Sequence, residues 1–249
     1  DWRKSLSRDL QQYQQEYHAL PFEATQLSYR RRVVLEQMAA RAPEHVLEVG
    51  CGLRPLFCEV EAFSSFTVVE PASEFAAHAR QLAGDDGRVR VIEQRLEEAV
   101  AQVAQKPDMI IVSSLLHEVE NPQMLLTAVR ELCHAETLVH VNVPNAYSLH
   151  RLLAVEMGLI ADPFERSATQ ARMQQHSTFC QASLKALLES AGFVVQDSGS
   201  FFIKPFTHAQ MQQLCEQGVL TDAHLEGLFK LCRRLPEFGS EIYANATRS

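Results

Sequence analysis

The sequence predicts an α/β protein whose sheet is mostly parallel and is covered by helices on both faces. Short runs rich in Val and Ile alternate with longer segments that carry apolar residues at helical spacing. Strands that alternate with helices form parallel sheets, because a parallel connection needs a crossover of a dozen or more residues. With 249 residues and 46% apolar content, the chain is long and apolar enough to bury one core, and we predict a single domain over 1–249 with helical insertions.

The N-terminal segment, residues 1–42, is predicted to form two helices that act as a lid, the first of them Gln-rich and polar. The second helix has an apolar stripe, and Arg30 and Arg31 fall in its gap, so at least one of them should point inwards. Two interpretations stay open. The arginines belong to a solvated face, or Tyr29 or Arg30 closes over a ligand or grips an anionic substrate.

A turn that contains two glycines follows the first predicted strand, residues 45–49. Gly50 and Gly52 supply the permissive backbone needed where the chain bends sharply and a ligand approaches the main chain. The dinucleotide fingerprint G-x-G-x-x-G needs a third glycine where this chain has Pro55, so the sequence disfavours a nicotinamide site. An acid, Glu48, stands two residues before the first glycine.

A second acid, Glu70, ends the next predicted strand, 22 residues after Glu48. This is close to the spacing of roughly 20 at which an acid ending strand 2 accepts ribose hydroxyls. Glu48-Val49-Gly50-Cys51-Gly52 and Glu70-Pro71 together resemble the motifs of class I S-adenosylmethionine-dependent methyltransferases. The resemblance implies that the turn wraps the methionine part of S-adenosyl-L-methionine and that Glu70 holds its ribose. Arg54 replaces a glycine that is frequent in the family, and either narrows the turn or faces the cofactor carboxylate or the substrate.

The resemblance also implies a Rossmann-like sheet of seven strands in the order 3-2-1-4-5-7-6, with the last strand antiparallel. Residues 43–144 would form the cofactor-binding half, residues 145–180 a substrate lid, and residues 181–249 the rest of the sheet with a helical insertion. We predict a helix over 96–103 and a bulge near Gly199 in the sixth strand. Loops after the carboxyl ends of the strands should line one crevice.

Those loops supply further candidate residues. After strand 3, Arg95 occupies the position of the family's adenine-binding aspartate, so backbone groups near Arg95 and Leu96 are expected to bind adenine. After strand 4, the resemblance implies that Ser113 and Ser114 lie beside the amino group of the cofactor and that His117 approaches the methyl acceptor. Alternatively, His117 stands at the start of a helix and its side chain hydrogen-bonds to the backbone.

The segment after strand 5 carries the candidate substrate contacts Asn145, His150 and Arg151. The last two either touch substrate or form the exposed basic edge of an amphipathic lid helix. His176 precedes a helix, at a position that frequently faces the pocket in related small-molecule enzymes.

Composition excludes several classes of function. A formal net charge of −8 argues against a nucleic-acid surface. Six cysteines without a C-x-x-C pair predict reduced thiols in the cytoplasm, with neither a metal site nor a disulfide framework. No apolar run approaches the roughly 18 residues of a membrane span. A monomer or a homodimer is expected.

The predicted activity is methyl transfer to oxygen or nitrogen of a small biosynthetic acceptor: a sugar, a secondary metabolite or a peptide terminus. His117, His150 and His176 are the candidate bases, and His117 is favoured because it follows strand 4. Arg30, Arg54 and Arg151 are candidate clamps for an anionic group. The alternatives are a protein or carboxylate methyltransferase, or a non-catalytic module that binds the cofactor.

Overall fold

A computed structural model describes residues 20–249, apart from the side chains of residues 168 and 169, so the predicted first helix lies outside the described residues. The strands are β1 His45–Val49, β2 Ser65–Val69, β3 Val89–Ile92, β4 Met109–Ser113, β5 Leu138–Pro144, β6 Phe193–Phe201 and β7 Glu241–Arg248. They form one sheet in the order β3-β2-β1-β4-β5-β7-β6. β7 is antiparallel to both of its neighbours, and β1 to β5 pair in parallel. The predicted order and the antiparallel last strand are confirmed.

Helices cover both faces of this sheet. They are α1 Glu23–Arg41, α2 Ser73–Ala83, α3 Leu96–Ala99, α4 Pro122–Leu132, α5 Leu149–Glu156, α6 Ala168–Arg172, α7 Gln181–Ser190, α8 His208–Glu216 and α9 Asp222–Leu231. The prediction of one helix over 96–103 is wrong, because the α-helical part ends at Ala99 and a 3-10 turn follows over Val100–Gln102. Val100 and Val103 both pack on the core, and the three-residue repeat of a 3-10 turn brings such a pair to one side.

The central strand β1 shows why the sheet is buried on both faces. Leu47 and Val49 belong to the apolar layer under α4 and α7, whereas Val46 points into the layer under α1 and α2. All three are at most 2% exposed. Strands buried on both faces have near-continuous apolar sequences, which is why the strands were recognisable from the sequence.

The bulge predicted near Gly199 is at a different place. The register of β6 against β7 shifts between Val195 and Asp197, whereas Gly199 pairs regularly with Tyr243. A Cβ atom on Gly199 would lie 2.9 Å from Cε1 of Tyr243. The glycine therefore makes room for the tyrosine ring.

Candidate active site

The turn after β1 lies at the carboxyl edge of the sheet, as predicted. Gly50 and Gly52 have φ values of 76° and 56°, in the left-handed region that favours glycine. The amide of Gly50 donates to the carbonyl of Val69 at 2.9 Å, which extends the pairing with β2 by one residue. Leu115, in the loop after β4, approaches within 3.4 Å of the position a Cβ on Gly50 would take.

Glu70 joins the end of β2 to this turn. Its Oε2 accepts hydrogen bonds from the amides of Cys51 and Gly52, at 3.0 and 3.3 Å, and its Oε1 accepts one from Ala72 at 2.9 Å. The carboxylate is buried, and that burial raises its pKa while the three amides act in the opposite direction. The structure thus brings four predicted cofactor residues, Gly50, Cys51, Gly52 and Glu70, into one cluster.

Glu48 makes its hydrogen bond outside this cluster. Its Oε2 accepts a hydrogen bond from the amide of Leu56 at 2.9 Å, which ties β1 to the 3-10 turn Leu56–Cys58. Burial raises the pKa of Glu48 to about 8, so the side chain is mostly protonated at neutral pH. Nearby, Arg31 donates to the carbonyl oxygens of Arg54 and Pro55 and holds the turn from outside.

A cavity of about 340 Å³ opens at the same edge of the sheet. Its wall is built from α1, the loops after β4, β5 and β6, the start of β7, and part of the segment 145–180. Six of its polar lining residues are Arg30, Ser114, His117, His150, Lys204 and Glu241. The loops after β4 and β5 line this cavity as predicted, whereas its lining residues include none from the loops after β1, β2 and β3.

His117 and Glu118 form the wall of this cavity below β4. Both are buried, and Nε2 of His117 lies 3.7 Å from Oε1 of Glu118. The carbonyl of His117 accepts the amides of His176 and Ser177, at 2.8 and 3.2 Å, so the lid segment is attached directly to the loop after β4. A histidine with a carboxylate neighbour is the arrangement expected of a general base.

A buried polar chain positions the two serines that end β4. Ser113 exchanges hydrogen bonds with the amide group of Asn142, and the Oδ1 of Asn142 also accepts the amide of Ser114 at 2.9 Å. Ser114 has a left-handed φ of 54°, a strained value that is common at functional sites. His140 continues the chain from Asn142 to Asn245, and burial lowers its pKa to about 4.

The opposite wall contains buried charges. Arg30 donates to both oxygens of Glu241, at 2.8 and 2.7 Å, and to Glu23 at 3.1 Å. Arg30 is therefore an ion-pair partner within the wall, not the free clamp that the sequence suggested. Lys204 is buried in the same wall, and burial lowers its pKa to about 7, with Glu241 and Glu23 acting in the opposite direction.

The predicted lid segment, residues 145–180, contributes three predicted residues to the cavity. His150 is half-buried, and burial followed by the charge of Lys204 lowers its pKa well below the usual value. Arg151 lines the cavity while donating to Pro163, Glu165 and Gln170 within the lid. Asn145 uses its amide on the carbonyl oxygens of Glu237 and Gly239, at 2.9 Å each.

Several predicted residues lie away from the cavity wall. Tyr29 stacks between Phe202 and Phe229, with ring centroids 4.6 and 5.1 Å away, and so packs α1 onto the C-terminal helices. The side chain of His176 is exposed, and only its backbone reaches His117. Arg54 is 66% exposed and pairs with Glu59. Arg95 is exposed, Leu96 is buried and Pro71 is half-buried.

Asn142, Lys204, His208 and Glu241 were not predicted as site residues. The signal for Asn142 was available, since His140 and Asn142 alternate within an otherwise apolar strand. Lys204 and Glu241 stand beside strand ends and gave no comparable signal.

Within the described residues, no three His, Cys, Asp or Glu side chains are grouped as a metal site would require. No helix in that part of the chain is long and apolar enough to cross a bilayer.

Solved structures with this fold include enzymes of different activities. The plantazolicin methyltransferase BamL, solved with a triazolic desmethylPZN analogue and SAH, is 15% identical with a TM-score of 0.59 over 91% of this chain and 88% of its own. Magnesium protoporphyrin IX methyltransferase ChlM from Synechocystis PCC 6803, with bound SAH, is 14% identical with a TM-score of 0.56 over 88% and 82%. The [4+2]-cyclase SpnF is 13% identical with a TM-score of 0.55 over 88% and 79%. At these identities the likeness establishes the fold alone.

Sequence comparison supplies the family. No curated protein matches the sequence. A family model described as a methyltransferase domain matches residues 23–198, which is well over half of the chain. That match, together with the sheet order and the glycine turn, shows that the chain belongs to the class I S-adenosylmethionine-dependent methyltransferases.

Proposed function

We propose that this enzyme transfers the methyl group of S-adenosylmethionine to an oxygen or nitrogen atom of a small acceptor bound in the cavity. The observation that carries the proposal is the cavity itself, at the carboxyl edge of the sheet, where His117 and Glu118 meet the lid. Its volume of about 340 Å³ lies at the lower end of the range of roughly 300–1,000 Å³ typical of small-molecule sites. A sugar, a compact secondary metabolite or a peptide terminus fits such a space, whereas a folded protein surface does not.

The residues around the glycine turn fit the cofactor. An ionised carboxylate has about four acceptor positions. Glu70 uses three of them on backbone amides, which leaves one position on Oε1 for a ribose hydroxyl. Gly50 and Gly52 provide the left-handed turn on which the methionine part would lie. When bound, the cofactor supplies a methyl group on a positively charged sulfur that is already activated for displacement.

The chain's own residues then have to align the acceptor and remove its proton where it has one. Alignment of two reactants is worth up to about 7–11 kcal/mol, so the walls of the cavity supply most of the catalysis. His117 is the proposed base, since it is buried in the wall and Glu118 can stabilise its protonated form. Proton removal contributes a further factor of about 10²–10⁴ when the acceptor is a hydroxyl.

The experiment is transfer of radiolabelled methyl from S-adenosylmethionine to a panel of small hydroxyl, amine and carboxylate acceptors. His117→Ala should lose transfer to the hydroxyl acceptors, and His176→Ala should keep it, because the side chain of His176 is exposed. A direct assay is needed because SpnF, a cyclase by its name, has the same fold. Binding of S-adenosylhomocysteine without transfer to any acceptor would favour a non-catalytic module or a different reaction.

A further inference from the structure

The part of the cavity wall formed by His150, Lys204 and His208 contains hydrogen-bond donors without acceptors. Within residues 20–249, Lys204 makes no hydrogen bond and no ion pair shorter than 4.0 Å. Nδ1 of His150 is buried and has no hydrogen-bond partner. His208 packs against Phe22, with ring centroids 6.1 Å apart, and its ring likewise has no hydrogen-bond partner in the described part of the chain. Buried polar groups are normally paired. Lys204 is 5% exposed and lines the cavity without a protein acceptor for its amine among the described residues, so an acceptor bound in the cavity would pair it.

The three side chains come from different elements but lie close together. His150 belongs to α5, Lys204 follows β6, and His208 starts α8. All three line the cavity. Burial lowers the pKa of both histidines, and the charge of Lys204 lowers it further. Both rings are therefore neutral at pH 7, and each offers one N–H donor beside the lysine.

Two nearby carboxylates do not satisfy these donors. Glu241 accepts three hydrogen bonds from Arg30 and one from Gln26, and Glu23 accepts one from Arg30. Glu241 and Glu23 act on Lys204 only from more than 4.0 Å away, where their charges favour its protonated form. These carboxylates therefore leave the donors of His150, Lys204 and His208 without a partner within residues 20–249, and all three residues line the cavity.

We propose that His150, Lys204 and His208 form a subsite for an oxyanion of the acceptor, a carboxylate or a phosphate, and this rests on the proposed function because the acceptor occupies the same cavity. A carboxylate or phosphate offers several acceptor positions to one lysine and two imidazoles, and hydrogen bonds to such a charged group are the strong ones. The subsite would orient the acceptor from one wall while His117 contacts it from another.

The binding test uses benzoate, phenyl phosphate and the neutral analogue benzamide, titrated calorimetrically at pH 7.0 in the presence of S-adenosylhomocysteine. Benzoate or phenyl phosphate should bind at least tenfold more tightly than benzamide, and which of the two binds better identifies the oxyanion. Lys204→Met should remove this preference, and Lys185→Met, at an exposed lysine of α7, should keep it. Equal binding of benzamide, or an undiminished preference in Lys204→Met, would overturn the subsite.

The pH dependence gives a second readout. Lys204 has to be protonated to bind an anion, so benzoate affinity should fall roughly 50-fold between pH 7 and pH 9 for a pKa of about 7. The charged and titratable groups that face the amine are Glu23 and Arg30 from α1, Glu241 from β7, His150 from α5 and His208 from α8. Both histidines stay neutral over this range. An affinity independent of pH would exclude the lysine as the anion's partner.

Stability separates a binding role from a structural one. The pKa of Lys204 is lowered in the folded state, so its burial costs stability at pH 7 and the cost disappears as pH rises towards 10.5. Lys204→Met should therefore raise Tm at pH 7, whereas loss of a structural ion pair would lower it. If the Met variant does not fold, Lys204→Gln provides the same comparison of benzoate with benzamide. In the wild type, a failure to bind benzoate and phenyl phosphate while S-adenosylhomocysteine still binds refutes the subsite alone, and a failure to bind S-adenosylhomocysteine refutes the proposed function.

Discussion

Replacing Glu70 with glutamine tests the cofactor site at its most connected residue. The wild-type carboxylate accepts two amides on Oε2 and one on Oε1. Glutamine has the same size but only one oxygen, and its NH₂ group has to face a backbone donor or the remaining acceptor position. With NH₂ at the Oε1 position, the side chain loses the bond from Ala72 and the acceptor proposed for ribose, and with NH₂ at the Oε2 position it loses the bonds from Cys51 and Gly52 that attach the glycine turn to β2.

The structure sets the size of both effects. A hydrogen bond to a charged group contributes about 1.5–3 kcal/mol. Loss of one such bond to ribose weakens the binding of S-adenosylhomocysteine by about 10–150-fold. Loss of one amide bond lowers Tm by about 3–12 °C in a protein of this size. Burial raises the pKa of Glu70, which means that the buried charge costs stability. Removal of the charge offsets part of the lost hydrogen-bond energy, so the decrease in Tm should lie at the lower end of this range.

Isothermal titration with S-adenosylhomocysteine measures the first effect and thermal unfolding the second. Glu93→Gln is the matched control, because Glu93 follows β3 just as Glu70 follows β2, and Val69 and Ile92 are paired in the sheet. Glu93 is exposed and bonds Arg80, so its replacement should leave the affinity unchanged. A folded Glu70→Gln protein with affinity within twofold of wild type would refute the assignment of the ribose acid.

Three further predictions concern the turn and the base. Gly50→Val should abolish S-adenosylhomocysteine binding, because Gly50 has a φ of 76° and Leu115 is 3.4 Å from the added Cβ. Gly218→Val is the control: its φ of 72° makes the substitution equally strained, but the space around it is open, so the variant should still bind. Glu48→Gln should raise the free energy of unfolding by on the order of 3 kcal/mol at pH 7. The folded-state pKa of Glu48 is raised from 4.5 to about 8, so stability is lost as pH rises through this range. The gap between wild type and Glu48→Gln should therefore close at pH 4.5, and a gap independent of pH would contradict the protonated carboxyl. His117→Ala should lower turnover of a hydroxyl acceptor at least a hundredfold with unchanged cofactor affinity, and turnover within threefold of wild type would exclude this histidine as the base.

The cofactor half of the protein was predictable because its signals are local. The apolar strand over 45–49, the two glycines after it and the acid that ends β2 each lie within a few residues of the position where they act. A parallel sheet then brings the carboxyl ends of neighbouring strands together without further information. The glycine turn and Glu70 accordingly meet in the structure.

Helical periodicity correctly indicated that an arginine of α1 points inwards, and the structure buries both Arg30 and Arg31. It could not indicate what each arginine meets there. Arg30 pairs with Glu241, which is 211 residues away, and Tyr29 packs on Phe202 and Phe229 from the C-terminal part of the chain. Periodicity gives the direction of a side chain relative to its own helix, but its partner depends on how distant segments pack.

The part of the cavity wall proposed to bind the acceptor shows this limit most clearly. In the sequence Lys204 stands beside a proline and phenylalanines, and a lysine in such a loop is ordinarily solvated. It becomes buried only because α1, α5, α8 and β7 close around it, and its lowered pKa results from that burial and not from its neighbours in sequence. The proposed cofactor site consists of a turn and an acid that sequence motifs record, whereas the proposed acceptor site consists of side chains that tertiary packing assembles. Recognition of the acceptor is therefore expected to depend on cavity residues such as Lys204, which charged and neutral probes of equal shape can test.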